Sequence, residues 1–247
     1  MHLIAHRGNA SEFPENTLPA FVSALELGVR FLELDVQLSS DGVPVVIHDA
    51  ELPRTTGVPG SVFDQEAATL RQLNAGEPTR FGDRFSDVRL PLLKDVLTLL
   101  EHRPDVTLFV EIKRESLLQF GHDVVVAAIA DTLRPRRQQC VVISFDLTAV
   151  QRARQLAGLP VGWVLSDYDS HSQLKCEALR PDYLFCNHRK LPRSGPLWRG
   201  PWRWAIYEVR STELALQLAS RGADYIETMM VRDMSRAMRA LPGNGGS

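Results

Sequence analysis

The sequence predicts a (β/α)8 barrel, in which parallel strands form a central cylinder and helices cover its outside. Strand-like apolar runs and helical patterns alternate along the chain, as they do in parallel α/β proteins. The length of 247 residues fits one such barrel. Ionisable residues also stand at the ends of several apolar runs, where a barrel places its site. We expect one domain over residues 1–241 and a disordered tail over 242–247.

Nine apolar runs have the length and composition of buried strands. They cover residues 2–6, 31–36, 44–47, 107–112, 140–145, 161–165, 182–186, 203–209 and 224–227. Because this class of barrel has eight strands, one run is an extra. Residues 37–43 are too few for a parallel crossover and contain the turn pair Asp41-Gly42. We therefore expect 44–47 to fold back as a hairpin arm beside the second strand.

Helical patterns fill most intervals between the predicted strands. The first is the clearest, because Asn16 or Thr17 can cap it, Pro19 lies in its first turn and Gly28 ends it. The other predicted helices cover 91–102, 119–133, 146–157, 171–179 and 211–221. Residues 51–88 are irregular and rich in Pro, Gly and Thr. We expect them to form a short excursion after the hairpin arm, with a helix near 64–73, and not a second domain.

Composition and charge exclude several classes of function. A net charge of −2 provides no basic field to attract nucleic acid. No apolar stretch approaches the roughly 18 residues needed to span a bilayer, and no secretory signal pattern precedes the first strand. The three cysteines lack zinc-site spacing, and we expect them to be small buried side chains. We expect a cytoplasmic protein that acts on a small molecule; the sequence leaves its oligomeric state unknown.

The strand at 31–36 carries two acids on one face. Side chains alternate along a strand, so Glu33 and Asp35 point to the same side. Two such carboxylates repel each other unless a cation lies between them, and oxygen ligands suit Mg²⁺ or Ca²⁺. Glu111 and Lys113 repeat the pattern at the end of another strand. The alternative interpretation is two structural ion pairs that face solvent. Three acids at the ends of two strands favour the metal site over that interpretation.

Two histidines accompany these acids. His6 and Arg7 follow the first strand, and His48 follows the hairpin arm. Arg7 is suited to bidentate binding of a phosphate. Two histidines beside a metal-binding set of acids suit phosphodiester cleavage, in which one accepts a proton from the nucleophile and the other donates one to the leaving alkoxide.

With these motifs in order, the sequence resembles the glycerophosphodiester phosphodiesterase family, relatives of phosphoinositide-specific phospholipase C. The resemblance runs from residue 3 to about 230. It includes Pro14-Glu15-Asn16-Thr17, Pro91-Leu92-Leu93 and Ile143-Ser144-Phe145-Asp146 besides the four motifs His6-Arg7, Glu33-Leu34-Asp35, His48-Asp49 and Glu111-Ile112-Lys113. It implies a metal-dependent enzyme that hydrolyses glycerophosphodiesters to glycerol 3-phosphate and an alcohol.

The resemblance also implies a role for each residue. His6 and His48 would be the acid–base pair, Arg7 would bind phosphate and Lys113 would stabilise the developing negative charge. The metal ligands would be Glu33, Asp35 and Glu111, holding one divalent cation, Mg²⁺ or Ca²⁺. By analogy with the phospholipases, a neighbouring substrate hydroxyl would attack first, and the resulting cyclic phosphate would then be hydrolysed.

The chain departs from the family pattern near its C-terminus. Where the family often has Trp-Thr-Val-Asn, this chain has Tyr207-Glu208-Val209-Arg210. Tyr207 keeps an aromatic wall for a glycerol-like group. Glu208 adds a carboxylate to the site, and the structural alternative is that it points into the barrel wall and pairs with an Arg. The family's Thr-Asp-x-Pro becomes Thr228-Met229-Met230-Val231, which puts the alcohol-binding side of the pocket in doubt.

Two other functions stay open at this point. A lysophospholipase D would need an apolar lip, for which residues 196–204 with Trp198 and Trp202 are the best candidate. The simpler interpretation is that these aromatic side chains pack against the barrel. A non-catalytic binding barrel is the other alternative, and retention of both histidines and all three acids argues against it.

Overall fold

Parallel strands close into a barrel in the computed structural model, which describes residues 1–239. Within these residues the strands are β1 His2–His6, β2 Phe31–Leu38, β3 Pro44–Val46, β4 Thr107–Ile112, β5 Cys140–Ser144, β6 Val161–Val164, β7 Tyr183–Asn187, β8 Arg203–Tyr207 and β9 Tyr225–Thr228. β1 pairs with both β2 and β9, which closes the cylinder of eight parallel strands. β3 pairs antiparallel with β2. The predicted barrel and its hairpin arm are therefore both confirmed.

Helices and short 3₁₀ turns connect the strands. Over residues 1–239 the helices are α1 Leu18–Glu26, α2 Pro53–Thr56, α3 Ala67–Leu70, α4 Pro78–Phe81, α5 Leu93–Thr98, α6 Arg114–Phe120, α7 His122–Leu133, α8 Leu147–Ala157, α9 Ser170–Leu179, α10 Thr212–Ser220 and α11 Val231–Arg239. The 3₁₀ turns cover Val62–Asp64, Gly82–Phe85, Arg134–Gln139 and His188–Lys190. None of these helices is long and apolar enough to cross a membrane.

Two helix predictions needed correction. The segment predicted as one helix over 119–133 belongs to two helices, because Gly121 adopts φ +82° between α6 and α7 and breaks the helical path. The sequence analysis did not identify α11, an amphipathic helix that buries Val231 and Met234. The predicted tail over 242–247 lies outside the described residues.

The registers of three neighbouring strands align the predicted site residues. His6 on β1 pairs in register with Glu33 on β2, and Asp35 pairs with Glu111 on β4. Within β2, the alternate residues Leu34 and Val36 join the hydrophobic layer between strands and helices. The acids on the other face of β2 consequently point into the barrel near the C-terminal end of its strands.

The barrel interior below this level is filled by apolar side chains. The cluster includes Ile4, Phe109, Phe185 and Tyr225, and each is at most 2 % exposed. Phe109 lies edge-on to Phe185 and Tyr225, an arrangement that aromatic rings favour. This dense filling leaves the polar site at one end of the barrel only.

The excursion over 51–88 packs on the hairpin arm. Val45 and Ile47 form a second hydrophobic cluster with Leu52, Val62 and Leu70 from the excursion. The one-turn helix α3 lies within the predicted helix near 64–73. The three cysteines, in contrast, belong to the main core and are buried free thiols, as expected: Cys140, Cys176 and Cys186.

Candidate active site

A cavity of about 140 Å³ lies at the C-terminal end of the barrel strands. One side is polar and is lined by His6, Arg7, His48, Glu111 and Lys113. Strand ends supply His6 and Glu111, while the segments that follow strands supply the other three. This is the end of the barrel at which enzymes of this fold place their active sites.

Three carboxylates lie together at this side of the cavity. Oxygens of Glu33, Asp35 and Glu111 lie within 4.8 Å of one another, and Glu33 and Asp35 are each only 1 % exposed. The Oε1 atom of Glu33 is buried without a hydrogen-bond partner among the described residues. An oxygen set of this kind suits a hard divalent cation, which would also satisfy the unpartnered oxygen. These three residues could therefore hold a metal ion.

Two cationic side chains offset part of this negative charge. Lys113 Nζ lies 2.8 Å from Glu111 Oε1 and 3.3 Å from Asp35 Oδ1. Arg7 Nε lies 2.9 Å from Asp35 Oδ2, and the Arg7 backbone N–H donates to Glu33 Oε2 at 3.1 Å. Although burial opposes ionisation, these cations hold the pKa of Asp35 well below its ordinary value. Glu33 differs, because burial and the neighbouring Asp35 raise its pKa well above 4.5.

His6 is held in a buried and uncharged state. Burial, reinforced by the nearby Arg7 guanidinium, lowers the pKa of His6 to about 3. Its Nε2 lies 3.4 Å from Glu227 Oε1 and 3.8 Å from Glu33 Oε2, and its Nδ1 has no partner among residues 1–239. At neutral pH this imidazole is therefore uncharged and keeps a free nitrogen lone pair.

His48 belongs to a separate chain of polar contacts. Its Nδ1 lies 2.6 Å from Asp49 Oδ1, and Asp49 also accepts from Arg54 Nε. Arg54 Nη2 donates to Glu15 Oε1 at 2.6 Å, and Glu15 also accepts from Arg7 Nη1 at 3.0 Å. Burial opposes ionisation of Asp49, but the hydrogen bonds from Arg54 and His48 lower its pKa. These contacts hold the His48 ring in a fixed orientation at the cavity.

The Pro14-Glu15-Asn16-Thr17 segment braces the acids. Asn16 adopts φ +57°, its Nδ2 donates to Asp35 Oδ2 at 2.9 Å and its Oδ1 accepts from the Asp35 N–H at 3.2 Å. The Glu15 N–H donates to Glu77 Oε1 of the excursion at 2.5 Å. The excursion therefore contributes to the site through the segment that positions Asp35.

Comparisons with known proteins point to one family. A sequence profile of the glycerophosphoryl diester phosphodiesterase family matches residues 6–194. A putative glycerophosphodiester phosphodiesterase of Bacillus subtilis, YhdW, is 31 % identical over 92 % of this chain and 94 % of its own length. The chain belongs to the glycerophosphoryl diester phosphodiesterase family.

Other relatives agree with this assignment. A glycerophosphodiester phosphodiesterase of Caldanaerobacter subterraneus is 36 % identical over 156 residues, which span 63 % of this chain and only 62 % of that protein. A solved Oleispira antarctica phosphodiesterase, in complex with the product sn-glycerol-3-phosphate, superposes with a TM-score of 0.85. It is 26 % identical, and the match covers 97 % of both chains.

The site residues expected from the family resemblance converge in the structure. His6, Arg7, His48, Glu111, Lys113 and Tyr207 line the cavity, and Glu33 and Asp35 lie beneath it. Sequence reasoning missed Glu227, which is 3 % exposed and forms a second group with His6 and Glu33 that could hold a metal ion. Its place at the end of the predicted strand 224–227 was the available signal. Arg54 was also missed, because it lies in the irregular excursion.

The structure decides between the interpretations that the sequence left open for the candidate lip and for Glu208. Trp202 and Trp204 are buried in the core, and Trp198 stacks on Tyr168 with ring centroids 3.8 Å apart, which supports packing against the barrel and not an exposed lip. Glu208, in contrast, does not pair with an Arg in the barrel wall. Its side chain lines the cavity, so that structural interpretation is wrong.

Proposed function

We propose that this chain hydrolyses glycerophosphodiesters to glycerol 3-phosphate and an alcohol with the help of one bound divalent cation, Mg²⁺ or Ca²⁺. One observation carries the proposal: two histidines and two cationic side chains line a single cavity at the C-terminal end of the barrel, and Glu111 of its lining clusters with the buried acids Glu33 and Asp35. The bound product of the Oleispira antarctica relative, sn-glycerol-3-phosphate, supports the choice of substrate.

The proposed cation ligands are Glu33, Asp35 and Glu111. A divalent ion supplies positive charge that stabilises the negative oxygens of the reacting phosphate. Arg7 and Lys113 flank the same acids and line the cavity, so they are placed to bind the anionic diester. Tyr207 provides an aromatic wall for the glycerol-like group.

The two histidines divide the proton transfers. His6 is uncharged at neutral pH, and its free lone pair would accept the proton of the neighbouring substrate hydroxyl as that oxygen bonds to phosphorus. Water would then open the resulting cyclic phosphate to glycerol 3-phosphate. Glu227, whose Oε1 lies 3.4 Å from Nε2, would hold the ring in position. His48, oriented by Asp49, donates a proton to the alcohol oxygen as its bond to phosphorus breaks.

Two features favour a small diester over a lysolipid. The cavity of about 140 Å³ is below the 300–1,000 Å³ of pockets that enclose drug-sized ligands. The aromatic side chains proposed for an acyl-binding lip are packed against the protein. A cytoplasmic location fits the sequence and belongs to the same proposal.

The test measures release of glycerol 3-phosphate from a panel of glycerophosphodiesters and lysolipids, with Mg²⁺ and Ca²⁺ supplied separately. His6→Ala and His48→Ala should each lower kcat by about 10²–10⁴-fold, and a chelator should abolish turnover. His102→Ala is the matched control, because His102 is exposed just before β4, at the opposite end of the barrel. Full activity of either site variant would overturn the mechanism. A protein that turns over none of these diesters with either metal would be a binding barrel.

A further inference from the structure

Two side chains of the excursion hold the loop that follows β1. The N–H of Glu15, the residue just before Asn16, donates to Glu77 Oε1 at 2.5 Å. Arg80 Nη2 donates to the carbonyl oxygen of Ala10, and Arg80 Nη1 lies 3.2 Å from Glu77 Oε2. The carboxylate of Glu77 and the guanidinium of Arg80 therefore fix the backbone of this loop at two points, although they lie more than sixty residues away in the sequence.

Glu77 is itself buried and tightly constrained. It is 5 % exposed, and a buried carboxylate is costly unless it is paired and hydrogen-bonded. Its φ is +49°, in the left-handed region, and it directly precedes Pro78. Its N–H donates to the carbonyl oxygen of Thr55 at 3.0 Å. Strained residues of this kind cluster at functional sites, where the surrounding structure holds them in place.

The constraint passes from Glu15 to the proposed metal ligand Asp35. Asn16 has φ +57°, and its N–H donates to the carbonyl oxygen of Arg7 at 3.0 Å. The planar Asn16 amide donates to the Asp35 carboxylate and accepts from the Asp35 N–H. Both contacts require one orientation of the amide, so a shift of the backbone at residues 15–16 would loosen the carboxylate.

We propose that Glu77 is a positioning residue for the cation site. Its carboxylate fixes the backbone at Glu15, and the adjoining Asn16 amide then orients Asp35. The inference rests on the proposed function, because it takes Asp35 as a metal ligand. Glu77 does not line the cavity and acts only through these intervening residues. Groups that orient a metal ligand typically change metal affinity by about 10- to 100-fold when they are removed, and Glu77 lies one residue further out.

The test measures binding of Mg²⁺ and Ca²⁺ to the full chain by calorimetry. Glu77→Gln keeps an oxygen that accepts the Glu15 N–H, whereas Glu77→Asn tolerates the left-handed backbone but is one methylene too short to reach it. We expect Glu77→Asn to raise the Kd of the cation about tenfold and Glu77→Gln to stay within about twofold of wild type. At saturating cation, kcat of Glu77→Asn should return close to the wild-type value. Glu66→Gln, at an exposed acid of the same excursion, is the control and should keep the wild-type Kd.

The outcomes separate the positioning role from the proposed function. If Glu77→Asn binds the cation as tightly as wild type, the positioning role is wrong, and hydrolysis of glycerophosphodiesters would still support the function. If the Kd rises as expected but wild type hydrolyses no glycerophosphodiester, the function fails and the positioning role stands. A wild type that binds neither cation refutes both. Should Glu77→Asn not fold, Arg80→Ala removes the ion-pair partner of Glu77 and should also raise the Kd; an unchanged Kd would overturn the positioning role.

Discussion

Replacing Glu33 by Gln should stabilise the protein when no divalent cation is bound and destabilise it when one is bound. Glu33 is 1 % exposed, and burial, Asp35 and Glu227 together raise its pKa well above 4.5. Glutamine has a similar shape, keeps an oxygen to accept the Arg7 N–H and carries no charge. We therefore expect Glu33→Gln to be more stable than wild type without the cation and less stable with it.

The magnitude follows from the linkage between protonation and folding. With its pKa raised on folding, Glu33 binds more protons in the folded state, so its contribution is fully present below pH 4.5 and is lost as pH rises. One pKa unit corresponds to about 1.4 kcal/mol and pH 7 lies roughly 2.5 units above 4.5, so the penalty at pH 7 is at most about 3.5 kcal/mol. That equals about 7–14 °C in Tm for a chain of this size. A cation at about 1,000 times its Kd adds about 4 kcal/mol to wild type.

The assay is thermal unfolding of both proteins at pH 7 and pH 4.5, in a chelator and in millimolar Mg²⁺ or Ca²⁺. In the chelator, the difference in Tm between Glu33→Gln and wild type should be largest at pH 7 and nearly absent at pH 4.5. Glu213→Gln, at an exposed acid on α10, should respond to the cation as wild type does. The reasoning is refuted if Glu33→Gln is the less stable protein in the chelator at pH 7, or if the cation stabilises both proteins equally.

Three further predictions concern other parts of the molecule. Phe109→Ala should cost about 3–5 kcal/mol in urea unfolding, since Phe109 is fully buried in the barrel interior; a loss below 1 kcal/mol would contradict the packing described. Gly8→Ala should lower Tm, since Gly8 has φ +80° and an added Cβ would lie 2.7 Å from the Ala20 backbone; an unchanged Tm would be contrary evidence. Arg54→Ala should slow hydrolysis about 10- to 100-fold by loosening the Asp49–His48 pair. Arg71→Ala is the matched control and should keep the wild-type rate, since the Arg71 side chain is 47 % exposed and that of Arg54 is 45 % exposed. Equal rates for the two variants would remove Arg54 from the mechanism.

Local sequence patterns were sufficient for much of the fold. Alternation along β2 placed Glu33 and Asp35 on one face, and the short Asp41-Gly42 connection identified residues 44–47 as an antiparallel arm, because neither inference needs information from distant residues. The prediction of one helix over 119–133 was wrong, because the apolar periodicity continues across Gly121 although the helical backbone is interrupted there. The sequence analysis also missed α11, although its apolar residues are spaced three and four apart and bury Val231 and Met234.

By itself, the sequence determined the barrel and the family motifs, and it predicted the candidate site residues His6, Glu33, Asp35, His48 and Glu111. Only the tertiary structure decided which other groups join them. Glu227 reaches His6 because the cylinder closes by pairing β9 with β1, so residues at opposite ends of the chain become neighbours. Glu208 lines the cavity and has φ +60°, whereas the sequence also allowed it to pair with an Arg in the barrel wall. Such placements depend on closure and packing of the whole barrel, which no local pattern of residues records.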